Sequence, residues 1–290
     1  MDRSSYVVHR IPKRAGGWRE ILEPNPELKR LQRQLLRWLL ARRVRVGPYA
    51  HGFVRGRSIL THALLHAGRR VVVRMDVRDF FPSIRSEMVR TSLLREGLSI
   101  DDARRITDLC TVDGRLPQGA PTSPLLANLS FKQIDFRLAA LTRAFRPRSL
   151  CAYSRYADDL VLSSDAADWH QVIFPVRKIV ESAGFRLHQG KTHIARSHSS
   201  QRVTGLVVNS RPNVPREYRR ALRAELHSVR KSVRAGRALE KDWQVLRGKA
   251  AYVHQVNALL GRSLLQQVDD LQAMNSLLRK EDSSGSHHDP

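Results

Sequence analysis

Two β-rich stretches meet at an acidic break in the run CAYSRYADDLVLSS, residues 151–164. Strand-forming residues on both sides of so short an interruption specify a hairpin with Asp158 and Asp159 at its turn. Most adjacent acid pairs are solvated turns, and Asp101-Asp102 and Asp269-Asp270 are read as nothing more. The pair at 158–159 differs because of its company upstream. There, Val71-Val72-Val73-Arg74-Met75-Asp76 is an apolar, β-branched run ending in an acid, the pattern of a buried strand that delivers Asp76 to its end.

Carboxylates gathered from a strand end and a hairpin turn suit Mg²⁺, which takes hard oxygen ligands from one or two carboxylates, waters and substrate phosphates. Two such ions about 3.5–4 Å apart can activate an attacking hydroxyl and stabilise a leaving oxygen. Asp76 and Asp158 are the candidate bridging ligands, Asp159 completes or tunes the cluster, and Asp79 reads as a structural acid. Between the two acidic segments lies LPQGAPTSPLLANL, residues 116–129. Its Pro and Gly residues fix a loop, Ser123-Pro124 are placed to cap the helix that follows, and Gln118 can hydrogen-bond a sugar or base.

In the order DVRDFF (76–81), LPQGAPTSPLLANL and YADD (156–159), the chain resembles the palm motifs of reverse transcriptases. Residues 11–32 are similar to the fingers segment of that family, and GFRLHQGKT (184–192) to the palm motif after the catalytic hairpin. A narrower resemblance is to the retron reverse transcriptases of bacteria. Val203-Thr204-Gly205, followed by NVPREY (213–218), matches a retron triplet and its sequel. A second retron signature, Asn-Ala-x-x-His, is met in part by His62-Ala63-Leu64-Leu65-His66, with His62 standing where Asn is typical.

The resemblance implies an α+β, right-hand polymerase, with fingers and an antiparallel-sheet palm interleaved over residues 1–210 and a helical thumb over 211–280. It implies attack by a primer hydroxyl on the α-phosphate of a dNTP, with two Mg²⁺ ions held by Asp76, Asp158, Asp159 and the Val77 backbone carbonyl. A structured noncoding RNA would serve as template and primer. Synthesis from an RNA 2′-hydroxyl would give a branched RNA–DNA hybrid product, in anti-phage defence with an effector protein. RNA contact would fall to His62, His66, Val203, Thr204 and Gly205. Phe81 matches the family's steric gate, an aromatic ring that excludes a ribose 2′-hydroxyl, while Phe80 is assigned to the core because successive strand residues face opposite ways. Arg19 and Lys13, in a Gly-rich loop, are the candidate triphosphate clamp, and Lys191 the candidate proton donor to pyrophosphate.

Composition points the same way. Lys and Arg number 51 against 27 Asp and Glu, a formal charge of +24 that calls for a polyanionic partner. With no apolar run of about 18 residues and no signal peptide, neither membrane insertion nor export is expected. Two cysteines provide neither a disulfide framework nor a thiolate zinc site, which suits a reducing cytoplasm.

The basic residues ride on amphipathic helices. Residues 27–44 repeat leucines at helical spacing with Lys29, Arg30, Arg33 and Arg37 between them. Three short helices are expected after Pro215, the first carrying Arg219 and Arg223 beside a stripe of Leu222, Leu226, Val229 and Val233, suited to gripping duplex phosphates. Residues 281–290 lack an apolar face and are expected to be disordered. The alternatives are a group II intron-like or CRISPR-associated reverse transcriptase and, from another class, a non-catalytic RNA-binding protein on a polymerase fold. Three converging acids argue against the last, since like charges without a cation bring a binding scaffold only cost.

Overall fold

The computed structural model describes residues 3–13, 16–42, 44–144, 151–166, 169–240 and 242–285. Strands β1 (Tyr6–Pro12) and β2 (Trp18–Pro24) form a hairpin that leads into α1 (Pro26–Ala41) and the short α2 (Ile59–Leu64). Strand β3 (Val71–Asp76) runs into the single turn α3 (Phe80–Ser83), followed by α4 (Ser86–Arg95), α5 (Ile100–Cys110) and the long α6 (Ser123–Ala144). Then come β4 (Cys151–Tyr156), β5 (Asp159–Ser164), α7 (Ile173–Ser182), β6 (His193–Arg196), β7 (Arg202–Val203) and β8 (Leu206–Val207). Helices α8 (Arg216–Arg234), α9 (Trp243–Val256) and α10 (Ala258–Gly285) complete the order. The chain divides into two compact units, Met1–Thr204 and Gly205–Pro290.

The first unit is organised by a four-stranded antiparallel sheet in the order β4-β5-β3-β6. Side chains alternate between its faces. Val71, Val73 and Met75 of β3 share one face with Tyr153, Leu160 and Leu162, and join a buried core with Leu126, Phe131 and Leu138 of α6. Each fully buried aliphatic chain is worth about 1.5–3 kcal/mol. A one-residue slip of β5 would turn that whole set out of the core. The core therefore enforces the register that sets Asp76 against Asp159 on the opposite face.

The β1–β2 hairpin is tied to the Gln118 loop by a 2.7 Å bond from the Leu22 N–H to the Gln118 carbonyl. Gly119 makes the approach possible: at φ 125° it is glycine's conformation, and a Cβ there would lie 2.8 Å from Ile21 Cγ2 and from the Leu22 carbonyl oxygen. Helix α1 begins at Asn25, whose side chain accepts from the Leu28 N–H at 2.9 Å. Ser123 does not cap α6 as its position suggests. It is the first residue of the helix, and its hydroxyl donates to the Pro117 carbonyl at 2.6 Å, bracing the loop instead.

In the second unit, α8 buries Leu222, Leu226, Val229 and Val233, α9 buries Leu246, Ala250 and Val253, and α10 buries Leu264, Val268 and Leu271. Buried Asn275 holds both backbone groups of Leu239, at 2.7 and 3.2 Å. The third helix is not short. Lys280-Glu281-Asp282 contain no helix breaker and propagation adds one bond per residue, so α10 runs to Gly285, into the stretch expected to be disordered. Residues 286–290 lie outside the described residues.

Candidate active site

Asp76 and Asp159 are register partners on the sheet face away from the α6 core. Asp158 occupies the two-residue turn between β4 and β5, and its carbonyl accepts a 2.9 Å bond from the Val77 N–H. The end of β3 and the tip of the hairpin are thus stitched together at the acids. Like charges facing across strands destabilise a sheet. Here a counter-charge offsets them, because Lys191 Nζ lies 3.1 Å from each carboxylate oxygen of Asp76.

Burial is the main cause of a raised pKa at Asp158; a backbone hydrogen bond opposes it, and the charges of Asp76 and Asp159 add to it. At Asp159 burial again leads, opposed by Arg74 and reinforced by Asp76. Among the described residues, no three Asp, Glu, His or Cys side chains are gathered tightly enough to hold an ion by themselves. Asp76 and Asp158 line an open cleft and Asp159 stands beside Asp76 on the neighbouring strand, an arrangement other than a closed protein cage.

A cleft of about 1720 Å³ opens in front of the acids. Asp76, Val77, Asp158 and Lys191 line it, and so do Lys13, Arg19, Phe81 and Gln118. Lys13 Nζ is 3.9 Å from Asp79 Oδ1. Phe80 and Phe81 begin a helical turn rather than continuing a strand, so their rings diverge by helical rotation and not by pleating. Phe80 is buried against Phe131, with centroids 5.7 Å apart, while half-buried Phe81 packs on Phe80 at 5.5 Å and on Phe53 at 6.1 Å. Arg78, Arg85, Arg115, Arg177 and Arg186 also line the cleft. Sequence reasoning did not single these out, because arginines spread over four segments form a cluster only after folding.

The two histidines assigned to RNA contact lie inside the protein. His62 and His66 are 0% exposed, as is Val203. His66 bonds Ser163 Oγ at 2.8 Å through Nδ1 and Ser154 Oγ at 2.6 Å through Nε2. The His62 ring packs 5.7 Å from Tyr156, and its Nδ1 lies 3.4 Å from Thr204 Oγ1. In this conformation these rings are polar spacers between α2 and the sheet, and their side chains offer nothing to a nucleic acid. The residues at the following turn differ: half-buried Thr204 (φ 45°) and exposed Gly205 (φ 83°) are both left-handed. Arg219, half-buried, and Arg223, exposed, belong to α8 in the second unit.

A buried polar set beneath the acidic turn also escaped the sequence reading. Arg155, Asp135 and Asn128 are each within 1% of full burial, and Arg155 donates hydrogen bonds to both of the others. The available signals were an arginine between two tyrosines in an apolar strand, and Asn128 and Asp135 two helical turns apart on one face of α6.

Residues 11–208 match the family model described as reverse transcriptase (RNA-dependent DNA polymerase). The chain is 39% identical to the Retron Mx162 reverse transcriptase of Myxococcus xanthus, over 93% of its own length and 62% of that protein's. It is 40% identical to the Retron Mx65 reverse transcriptase of the same organism, over 87% and 61%. It therefore spans about three fifths of the length of these two relatives. The Retron Ec86 reverse transcriptase of Escherichia coli is 31% identical over 88% of this chain and 77% of that protein. Among solved structures, telomerase from Candida albicans, in complex with a fragment of telomeric RNA, superposes with a TM-score of 0.53 at 11% identity, covering 93% of this chain and 61% of that one. Apo telomerase from Candida tropicalis gives 0.51 at 14%, covering 72% and 55%. At such identities the likeness is one of fold, a mixed helical and antiparallel-sheet polymerase. With the family model spanning more than half of the chain and the Escherichia coli relative matched over 77% of its length, the chain belongs to the reverse transcriptase family and, within it, to the retron reverse transcriptases.

Proposed function

We propose that this protein is an RNA-directed DNA polymerase of retron type, copying part of a structured noncoding RNA from a 2′-hydroxyl of that RNA and yielding branched RNA–DNA. The observation that carries the reading is that Asp76 and Asp158 line one cleft together with Lys13, Arg19, Phe81 and Gln118. The donor set fits Mg²⁺: it is all hard oxygen, burial raises Asp158 and Asp159 with the neighbouring acids adding to it, and an open cleft leaves room for substrate phosphates and waters. Asp76 and Asp158, with the Val77 carbonyl, would hold two ions, and Asp159 would tune them from the adjacent strand. Bound ions would polarise the phosphoryl oxygens and lower the pKa of the attacking hydroxyl.

The chain's own residues do the rest. Arg19 and Lys13 clamp the triphosphate, the guanidinium through paired contacts. Gln118, on a loop anchored to β2, hydrogen-bonds the incoming sugar or base. Lys191, which contacts Asp76, would protonate departing pyrophosphate. In this reading β1, β2 and α1 are the fingers, the four-stranded sheet is the palm, and α8–α10 are the thumb, with Arg219 and Arg223 on duplex phosphates. Thr204 and Gly205 present the exposed turn to the cognate RNA, and the product serves anti-phage defence with an effector protein.

The test is primer extension on an RNA template with dNTPs and Mg²⁺, beside an Asp158→Ala, Asp159→Ala variant. Extension by the parent and none by the variant is expected; equal extension by both would reject catalysis at this site. RNA joined covalently to DNA should co-purify with the native protein, and its absence from active complexes would reject the retron priming route. Phe81→Ala should raise ribonucleotide incorporation about 10-fold or more, since the ring is the element that excludes a single hydroxyl. Unchanged sugar discrimination in a competition of dNTP against rNTP would remove Phe81 from that role.

A further inference from the structure

Beneath the acidic turn lies a charge pair withdrawn from water. Arg155 is 0% and Asp135 1% exposed, and the guanidinium meets the carboxylate through bonds of 2.9 Å from Nε and 2.8 Å from Nη2. The third nitrogen is aimed elsewhere: Nη1 donates to Asn128 Oδ1 at 3.0 Å and to the Ala157 carbonyl at 2.9 Å. Asn128 continues the chain of bonds to the Gly52 carbonyl at 3.0 Å, and the Tyr153 hydroxyl donates to Asp135 at 2.6 Å. Gly52 in turn abuts the hairpin, since a Cβ there would sit 2.6 Å from the Ala157 nitrogen.

Stability is a weak reason for such a pair. Desolvating two ions offsets most of their attraction, and apolar residues of similar volume often serve as well. What an apolar pair cannot do is set the direction of a peptide group. Ala157 sits at φ 57°, a left-handed conformation unfavourable for a residue with a Cβ. Its carbonyl is held by Arg155, and the next carbonyl, that of Asp158, is held by the Val77 N–H. Both peptide groups flanking Asp158 are therefore pinned, which sets the direction in which its side chain leaves the turn.

We propose that Arg155, fixed by Asp135 and Asn128, is the positioning residue of the acidic turn: by holding the Ala157 carbonyl it presents Asp158 to the cleft beside Asp76. The kinetic part of this inference rests on the polymerase reading, whereas the backbone part does not.

Two variants test it. Arg155→Lys keeps a charge for Asp135 but has no planar fork to reach Asp135 and Ala157 together. Arg155→Met with Asp135→Leu removes both charges and keeps apolar volume. In metal-free protein, hydrogen exchange in the peptide covering residues 156–161 should quicken about 10-fold in either variant, while the rest of the first unit exchanges as in the parent. Single-nucleotide incorporation should fall about 100-fold in kcat with the KM for dNTP within about two-fold, the mark of misplaced rather than missing groups. Parental exchange at the turn in folded Arg155→Lys overturns the proposal, and so does exchange that quickens uniformly across the unit. Should the double variant fail to fold, Arg155→Lys decides alone. A parent without incorporation overturns the polymerase reading instead, and the exchange comparison still judges Arg155.

Discussion

Asp76→Asn is expected to lower nucleotide incorporation about 1000-fold or more, the equivalent of losing roughly 4 kcal/mol of transition-state stabilisation. The substitution preserves size, so β3 and its register with β5 should persist, and only the charge is lost. Lys191 loses its partner at the same time, since Asp76 accepts its ammonium at both oxygens. A second signature separates this effect from damage to the fold. Burial raises Asp158 and Asp159 above the ordinary aspartate value of 3.8. Groups raised in this way favour the folded state below 3.8 and lose that contribution as pH rises through their folded values, so at neutral pH without metal they oppose folding. Mg²⁺ should therefore raise the melting temperature of the parent and raise that of Asp76→Asn much less. Single-turnover kinetics and melting curves with and without Mg²⁺ give both readings. An Asp76→Asn protein with the parental rate would sink the assignment.

Acid should unfold the protein well before its carboxylates are neutralised. Burial lowers His51 to about 4 and His62 to about 3, with the neighbouring His51 charge adding at His62, and burial places His66 well below its ordinary range. These rings are neutral in the fold, whereas the unfolded chain takes up protons near the ordinary value of 6.5. Their contribution is complete above that value and is lost as pH falls from it toward the lowered values. At pH 5 each fully buried ring costs about 2 kcal/mol, so His62 and His66 together remove about 4 kcal/mol, a large share of a typical domain's stability. Urea unfolding at pH 7.5 and pH 5 measures the loss. His62→Asn, which installs the residue typical of the retron signature, should recover about 2 kcal/mol of it. The same pH dependence in parent and variant would show that the cluster is not the source.

What could be read in advance was local. The hairpin at 151–164 follows from tyrosines and aliphatic residues on either side of a short acidic break, and the strand ending at Asp76 from a β-branched run, preferences that act within a few positions. The apolar stripe of α8 is likewise written at helical spacing and is buried as written. Where local rules erred, a neighbouring element had taken over the side chain. Ser123 looks like a cap, but Pro117 offers its hydroxyl a closer carbonyl. The resemblance assigns His62 and His66 to RNA contact, while the fold buries both rings against Ser154, Tyr156 and Ser163.

The sequence alone determined the order of the acidic segments, the sheet that carries them and the family to which they belong, because strand propensity, turn chemistry and motif spacing are properties of the chain itself. Only the tertiary structure decided which charges meet. Lys191 reaches Asp76 across 115 residues, and Arg155 reaches Asp135 across 20. Such pairs depend on register and helix packing, which the whole core selects, and burial of an ionisable group is a property of everything around it rather than of the residue.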